Sequence, residues 1–164
     1  MRPCHALANF LVRLHPHRFD VPMDILSHSI QLATAAPIEV VDVTAPVREW
    51  VRASGIRRGL LTISSLHTTA RVNINEREGE LQRDMVDFLA RLAPADAPYG
   101  HNENTVDGRA NAHSHLIGLL MHASETVQVA DGALVLGEWQ SIFFVELDGP
   151  RAARELRLQL IGER

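Results

Sequence analysis

The chain has 164 residues, 46% of them hydrophobic and 22% charged, with a formal net charge of -4. That length holds one domain with its own core. A mildly acidic chain without a basic stripe is poorly suited to nucleic acid, and no apolar run approaches the roughly 20 residues of a membrane span. The single cysteine, Cys4, can form neither an internal disulfide nor a cysteine zinc site, and the expected setting is a reducing cytoplasm. All 16 basic residues are arginine, so Schiff-base and amine-nucleophile chemistry is excluded.

The first 22 residues differ from the rest. Their apolar part, Ala6 to Leu14, is too short to span a membrane, carries charge on both sides and lacks a small-residue cleavage site, so no secretory signal is expected. Residues 1–22 are expected to be an N-terminal extension, an upstream-start artefact or a poorly ordered arm. A single domain over 23–164 follows.

Residues 25–34 alternate and predict a strand, and IEVVDVT (38–44) predicts a second, β-branched one. Thr44 reads as an N-cap, with Ala45 and Pro46 in the first turn of a helix that stops at Gly55. Val47, Trp50 and Val51 form its buried stripe. GLLTISSLH (59–67) and RVNIN (71–75) predict strands, with Val72 and Ile74 inward. Residues 78–92 predict the clearest helix, from the 3–4 spacing of Leu81, Met85, Phe88, Leu89 and Leu92. A long polar loop over 94–111 and a short helix near 110–120 come next. ETVQVA, an Asp131-Gly132 hairpin turn, ALVLG, QSIFFVEL and a final strand with Leu156, Leu158 and Leu160 complete the chain. Strands and helices without regular βαβ alternation predict an α+β fold with a largely antiparallel sheet.

Nine histidines is a high count, and His101, His113, His115 and His122 fall within 22 residues. His67 ends a predicted strand; if 60–67 and 71–75 pair as a hairpin, it approaches Asn75 or Glu76 at one rim. A histidine beside a carboxylate suits general-base work or metal support, whereas a turn capped by its own threonine hydroxyls explains the same residues blandly. His113 and His115, two apart on a helix, point to different sides, so only one can join His101 and His67 at one ion. Three imidazoles with an open position make a zinc-type site. There is no HExxH, CxxC, GxSxG, P-loop or GxGxxG. Trp139 and Gln140 occupy a turn, the first suited to packing and the second to presenting its amide.

HTTARVNINE (67–76), LAPADAPYGHN (92–102), NAHSHLIG (111–118), LGEWQSIFFVELDGPR (136–151) and LQLIGE (158–163) together resemble the YjbQ-like family, often labelled secondary thiamine-phosphate synthases. The resemblance runs in order over roughly residues 25–164. It implies a mostly antiparallel α+β fold on a partly opened β-barrel, a homotrimer, and a pocket for a small anionic ligand. His67, His101 and His113 would hold zinc or another divalent metal, and Asn75, Glu76, Gln140 and Arg154 would act on substrate. The implied reaction joins a pyrimidine methyl pyrophosphate to a thiazole phosphate. The alternatives are a trimeric metal- or anion-binding protein and a metal-dependent hydrolase of a small phosphorylated or acyl substrate. The chain departs from the family pattern at His115, where lysine is common, at Glu138 in the Trp-Gln turn, and in the acidic pattern around Asn102, Glu103 and Asp107. Replacing lysine by histidine removes a permanent cation near a phosphate site.

Overall fold

The computed structural model describes residues 22–164, so the expected N-terminal extension lies, apart from Pro22, outside the described residues. The elements run β1 (Asp24–Thr34), β2 (Glu39–Asp42), α1 (Thr44–Ser54), β3 (Arg58–Ser65), β4 (Ala70–Glu76), α2 (Gly79–Leu92), α3 (Ala112–Gly118), β5 (Ser124–Ala130), β6 (Ala133–Leu134), β7 (Gln140–Glu146) and β8 (Arg151–Glu163). A 3-10 turn, Gly100–Asn102, interrupts the polar loop ahead of α3.

The strands form two antiparallel sheets, a five-stranded one ordered β1-β8-β3-β5-β6 and a three-stranded one ordered β2-β7-β4. The fold is α+β and mostly antiparallel, with one sheet curled into a half-barrel, as expected. Period-two alternation builds the core between them. Leu61, Ile63, Leu156, Leu158 and Leu160 face it from the larger sheet, and Val72, Ile142 and Phe144 from the smaller, with α1 closing one side through Val47 and Val51. The opposite face of β7 packs Phe143, Val145 and Leu147 with Ile117 and Leu89, from α3 and α2. The smaller sheet is therefore covered on both faces, which is why QSIFFVEL reads as a continuous apolar run.

One expectation fails. β3 and β4 do not pair as a hairpin; they lie in different sheets, joined by Leu66–Thr69, where the chain crosses from one to the other. Both are flanked by other partners, β8 and β5 for β3 and β7 for β4. The period-two pattern is the same for a hairpin and for a crossover, so alternation alone does not distinguish them.

The helix ends also differ. Thr44 is the first residue of α1 rather than its cap. Its hydroxyl accepts from Ile142 N at 2.8 Å, pinning the helix to β7, while Asp42 Oδ1 accepts from Thr44 N at 2.8 Å. Gly55 ends the helix as expected, at φ 74 in the left-handed region. In α2 the cap is Glu78, whose carboxylate accepts from Glu80 N and Leu81 N. Asp131 and Gly132, at φ 51 and 78, make the β5–β6 turn.

Gly59 and Gly162 sit opposite one another on β3 and β8. A Cβ at Gly162 would lie 2.6 Å from the Ile56 side chain, and one at Gly59 would lie 2.3 Å from Ile161 O. The paired glycines let the two strands bend around Ile56. Gly59→Ala is expected to cost about 1–3 kcal/mol through forced backbone shifts, lowering Tm by roughly 5 °C in a thermal melt; an unchanged Tm would show that the strands have room to move apart.

Candidate functional site

Along β7 the inward positions run Ile142, Phe144, Glu146, and along β8 they run Arg154, Leu156, Leu158. The core face therefore ends on a charge in each sheet, and the two charges meet. Arg154 donates from Nε to Glu146 Oε2 at 2.6 Å and from Nη2 to Glu146 Oε1 at 2.5 Å, and also from Nη2 to Thr69 Oγ1 at 3.1 Å. Glu146 is 0% exposed and Arg154 6%. The remaining acceptor capacity of Glu146 is filled by Thr34 Oγ1 and by the N–H groups of Leu147 and Asp148. Burial pushes the Glu146 carboxyl pKa up, but the Arg154 hydrogen bonds and the Asp148 N–H outweigh it, and the result lies below the usual carboxylate value.

Asp148, two residues on, repeats the arrangement. It accepts from Arg109 Nε at 3.3 and 3.2 Å and from Arg109 Nη2 at 3.0 Å, from Arg151 Nη2, and from Asn111 Nδ2 at 2.9 Å. Its pKa is likewise lowered, burial opposing and the Arg109, Asn111 and Arg151 hydrogen bonds prevailing.

A cavity of about 520 Å³ opens over this layer, within the range of small-molecule sites. Its wall includes Leu66–Thr69 from the crossover, His101 and Asp107 from the polar loop, Asn111 and His115 from around α3, and Asp148, Arg151 and Arg154 beneath. The expected His67, His101 and Arg154 are thus brought together. His115, whose role the sequence left open, lines the same cavity, its ring edge-on to His101 with centroids 5.2 Å apart. His122 is on the surface beside Glu125.

The other expected residues lie elsewhere. His113 is buried behind the wall, with Nε2 3.1 Å from Ser114 Oγ and Nδ1 without a partner. Burial lowers its pKa, against the charge of Asp148. Asn75, Glu76 and Gln140 stand at the other end of β4 and β7, where Glu76 pairs in register with Gln140. That is roughly 20 Å along β4 from the crossover at about 3.4 Å per residue. Asn75 Oδ1 accepts from Glu76 N, and Gln140 Oε1 from Gly137 N, so both amides serve local turns. Trp139 is exposed. The approach of His67 to Glu76 required the hairpin that the crossover replaces.

The expected metal ligand set is not assembled within the chain: among the described residues, no three His, Cys, Asp or Glu side chains are grouped to hold one ion. His67 Nε2 accepts the Glu155 backbone N–H at 2.9 Å, so the neutral ring carries its proton on Nδ1. Burial, then the charge of Arg154, lowers the His67 pKa and keeps that neutral form. His101 Nε2 lies 3.1 Å from Asn111 Oδ1; because Asn111 Nδ2 donates to Asp148, Oδ1 must accept, and His101 carries its proton on Nε2. Carboxylate lone pairs at Glu146 and Asp148 are already taken. What the cavity has in surplus is donors: His67 Nδ1–H, the Thr68 hydroxyl and the Nη1 groups of Arg151 and Arg154, whose hydrogen bonds to protein run through Nε and Nη2.

The sequence reading missed Glu146, Asp148, Arg109, Asn111 and Arg151. A signal was present for the first: a charge at the end of an inward apolar series on β7, matched by one ahead of the inward series of β8.

The architecture defines an antiparallel two-sheet α+β protein whose core ends in a buried arginine–carboxylate layer beneath a histidine-lined cavity. A profile described as UPF0047 protein YjbQ-like matches residues 28–163, and the chain belongs to that family. The UPF0047 protein of Methanothermobacter thermautotrophicus is 42% identical over 141 residues, 86% of this chain and 95% of the relative. UPF0047 protein YugU of Bacillus subtilis is 32% identical over 136 residues, 82% and 98% of the two chains. Among solved structures, a YbjQ-like protein of unknown function from Sulfolobus solfataricus P2 matches with TM-score 0.82 at 35% identity, covering 87% of this chain and 100% of that one. A hypothetical protein from Aeropyrum pernix K1 matches with TM-score 0.77 at 40% identity, covering 84% and 99%.

Glu146→Gln leaves Arg154 buried against an uncharged amide, at a cost of about 3–5 kcal/mol and roughly 10 °C in Tm at neutral pH. The double change Glu146→Met with Arg154→Met should recover most of that loss, since it removes both desolvated charges. A carboxyl whose pKa is lowered by folding contributes its full stabilisation above its ordinary value, here 4.5, and loses it as pH falls towards the folded value. The acid-side decline in Tm should therefore be shallower in Glu146→Gln than in the wild type, read by fluorimetry across that range.

Proposed function

We propose that the cavity binds the phosphate groups of a small phosphorylated metabolite. The observation that carries this reading is the donor surplus: two guanidinium groups, an imidazole N–H and a hydroxyl line one cavity whose buried carboxylates, Glu146 and Asp148, are already satisfied. Charge-assisted bonds from such donors suit a phosphate. Asp107 at the rim is solvent-exposed and accepts from Arg109 N.

Slow thiamine-phosphate synthesis is one reaction this reading accommodates. Arg151 and Arg154 would neutralise the departing pyrophosphate. Thermal shift with inorganic phosphate and pyrophosphate tests binding directly, because a ligand selective for the folded chain raises Tm. Arg151→Ala should weaken pyrophosphate binding at least about tenfold. No rise in Tm at millimolar anion would refute the phosphate reading. The synthase role is checked separately, by thiamine phosphate formed from the two phosphorylated precursors; product equal to the Arg151→Ala background would remove it. Metal analysis of the purified chain belongs to the same series: stoichiometric zinc or another divalent ion, lost in His101→Ala, would establish the metal site that the resemblance implies.

The assembly we propose is a homotrimer, and the protein's place the cytoplasm. The apolar stripe of α2 contains no fully buried residue in a single chain. Phe88 is 57% exposed, and beyond α3 Leu119 and Leu120 are 79% and 71% exposed. Such residues on a monomer favour covering by another surface. Sedimentation equilibrium should give three times the chain mass of 18.2 kDa, and a monomer at micromolar concentration would overturn the assembly.

A further inference from the structure

The His101–Asn111–Asp148 chain does more than line an anion site. Asp148 is buried and held by Arg109 and Arg151; it fixes the Asn111 amide through Nδ2, and Asn111 Oδ1 fixes His101 through Nε2. Asn111 is itself buried, and Asn102 Oδ1 accepts from Ala112 N, the next residue, so both sides of the contact are anchored. The single free lone pair of the His101 ring is then on Nδ1. His101 is exposed and lines the cavity, and among the described residues no protein group bonds to Nδ1. A cavity-lining imidazole with one nitrogen tied to an oriented amide and the other without a protein partner is built to move a proton. Condensation of a thiazole nitrogen with a pyrophosphate-bearing methylene has no use for it, because that nitrogen attacks with a free lone pair and releases no proton.

We infer that His101 is the proton acceptor of a phosphate-ester hydrolysis in this cavity, with Asn111 as its positioning residue. This rests on the phosphate-binding reading above and adds a reaction to it. His101 Nδ1 takes a proton from water; the water oxygen bonds to phosphorus as the phosphorus–oxygen bond to the alcohol breaks. The imidazolium returns its proton to the departing alkoxide, leaving inorganic phosphate, an alcohol and neutral His101. Arg151, Arg154 and His67 Nδ1–H hold the non-bridging oxygens, and no co-reactant beyond water is needed.

The test measures phosphate release from p-nitrophenyl phosphate and a short alkyl phosphate, beside inorganic phosphate affinity by calorimetry. His101→Ala is expected to lower turnover about 100-fold or more with little change in phosphate affinity. Asn111→Leu should lower kcat with KM nearly unchanged, and nitrogen-15 spectra of the wild type should show His101 protonated at Nε2. Phosphate binding without ester hydrolysis above the His101→Ala level would overturn this inference and leave the binding reading in place. Absence of phosphate binding would remove the binding reading first. If Asn111→Leu does not fold, the wild-type spectrum still decides, since a His101 protonated at Nδ1 contradicts the relay.

Discussion

The Glu146–Arg154 ion pair is the interaction on which the rest of the site depends. It stands where two inward-facing apolar series, one from each sheet, run out together. A guanidinium and a carboxylate placed there close the end of the core without exposing it to water; Arg154 also donates to Thr69 Oγ1, and Glu146 also accepts from Thr34 and the backbone. Buried pairs of this kind repay their desolvation only when every lone pair and proton is engaged. Here the Glu146 lone pairs and the Arg154 Nε and Nη2 protons are engaged, Nη1 is left over, and the same side chain that closes the core supplies the floor of the cavity.

Saturation of the Glu146 and Asp148 carboxylates also leaves the cavity floor richer in free donors than in free lone pairs. A metal site needs free lone pairs, whereas a phosphate site needs free N–H and O–H groups. The backbone N–H of Glu155 consumes one lone pair of His67, and Asn111 orients His101, so hydrogen bonding at the back of each ring sets what its front can do. A count of histidines carries no information about these partners, a backbone N–H for His67 and an Asn side chain for His101.

Much of the fold was legible in the pattern of residues. Alternation in IEVVDVT, RVNIN and the last strand, the 3–4 spacing in α2, and the turn residues Gly55, Asp131 and Gly132 each mark local rules that tertiary packing did not overturn. The pairing of β3 was not legible, since a strand followed by a short polar connection and another strand reads the same whether the second returns beside the first or enters another sheet. That one ambiguity set the expected neighbour of His67: with a hairpin, Glu76 belongs beside it, and with a crossover Glu76 lies at the far end of β4, opposite Gln140. His113 and His115 posed a second ambiguity. Their spacing stated that only one could face the cavity, but which one depends on how α3 sits on Leu147, a contact that lies 33 residues away in the chain.

The crossover itself has a consequence for how this domain can change over evolutionary time. Leu66–Thr69 is held at both ends by main-chain bonds, Ser65 N to Ala123 O and Leu147 N to Thr69 O, and Arg71 grips the His67 carbonyl. One wall of the cavity is therefore inherited with the architecture, and a substitution there disturbs the join between the sheets. The opposite wall, carried by an irregular segment around His101 to Asp107, answers to fewer structural demands. Divergence in ligand preference among related chains has room on that second wall, while the first stays tied to folding.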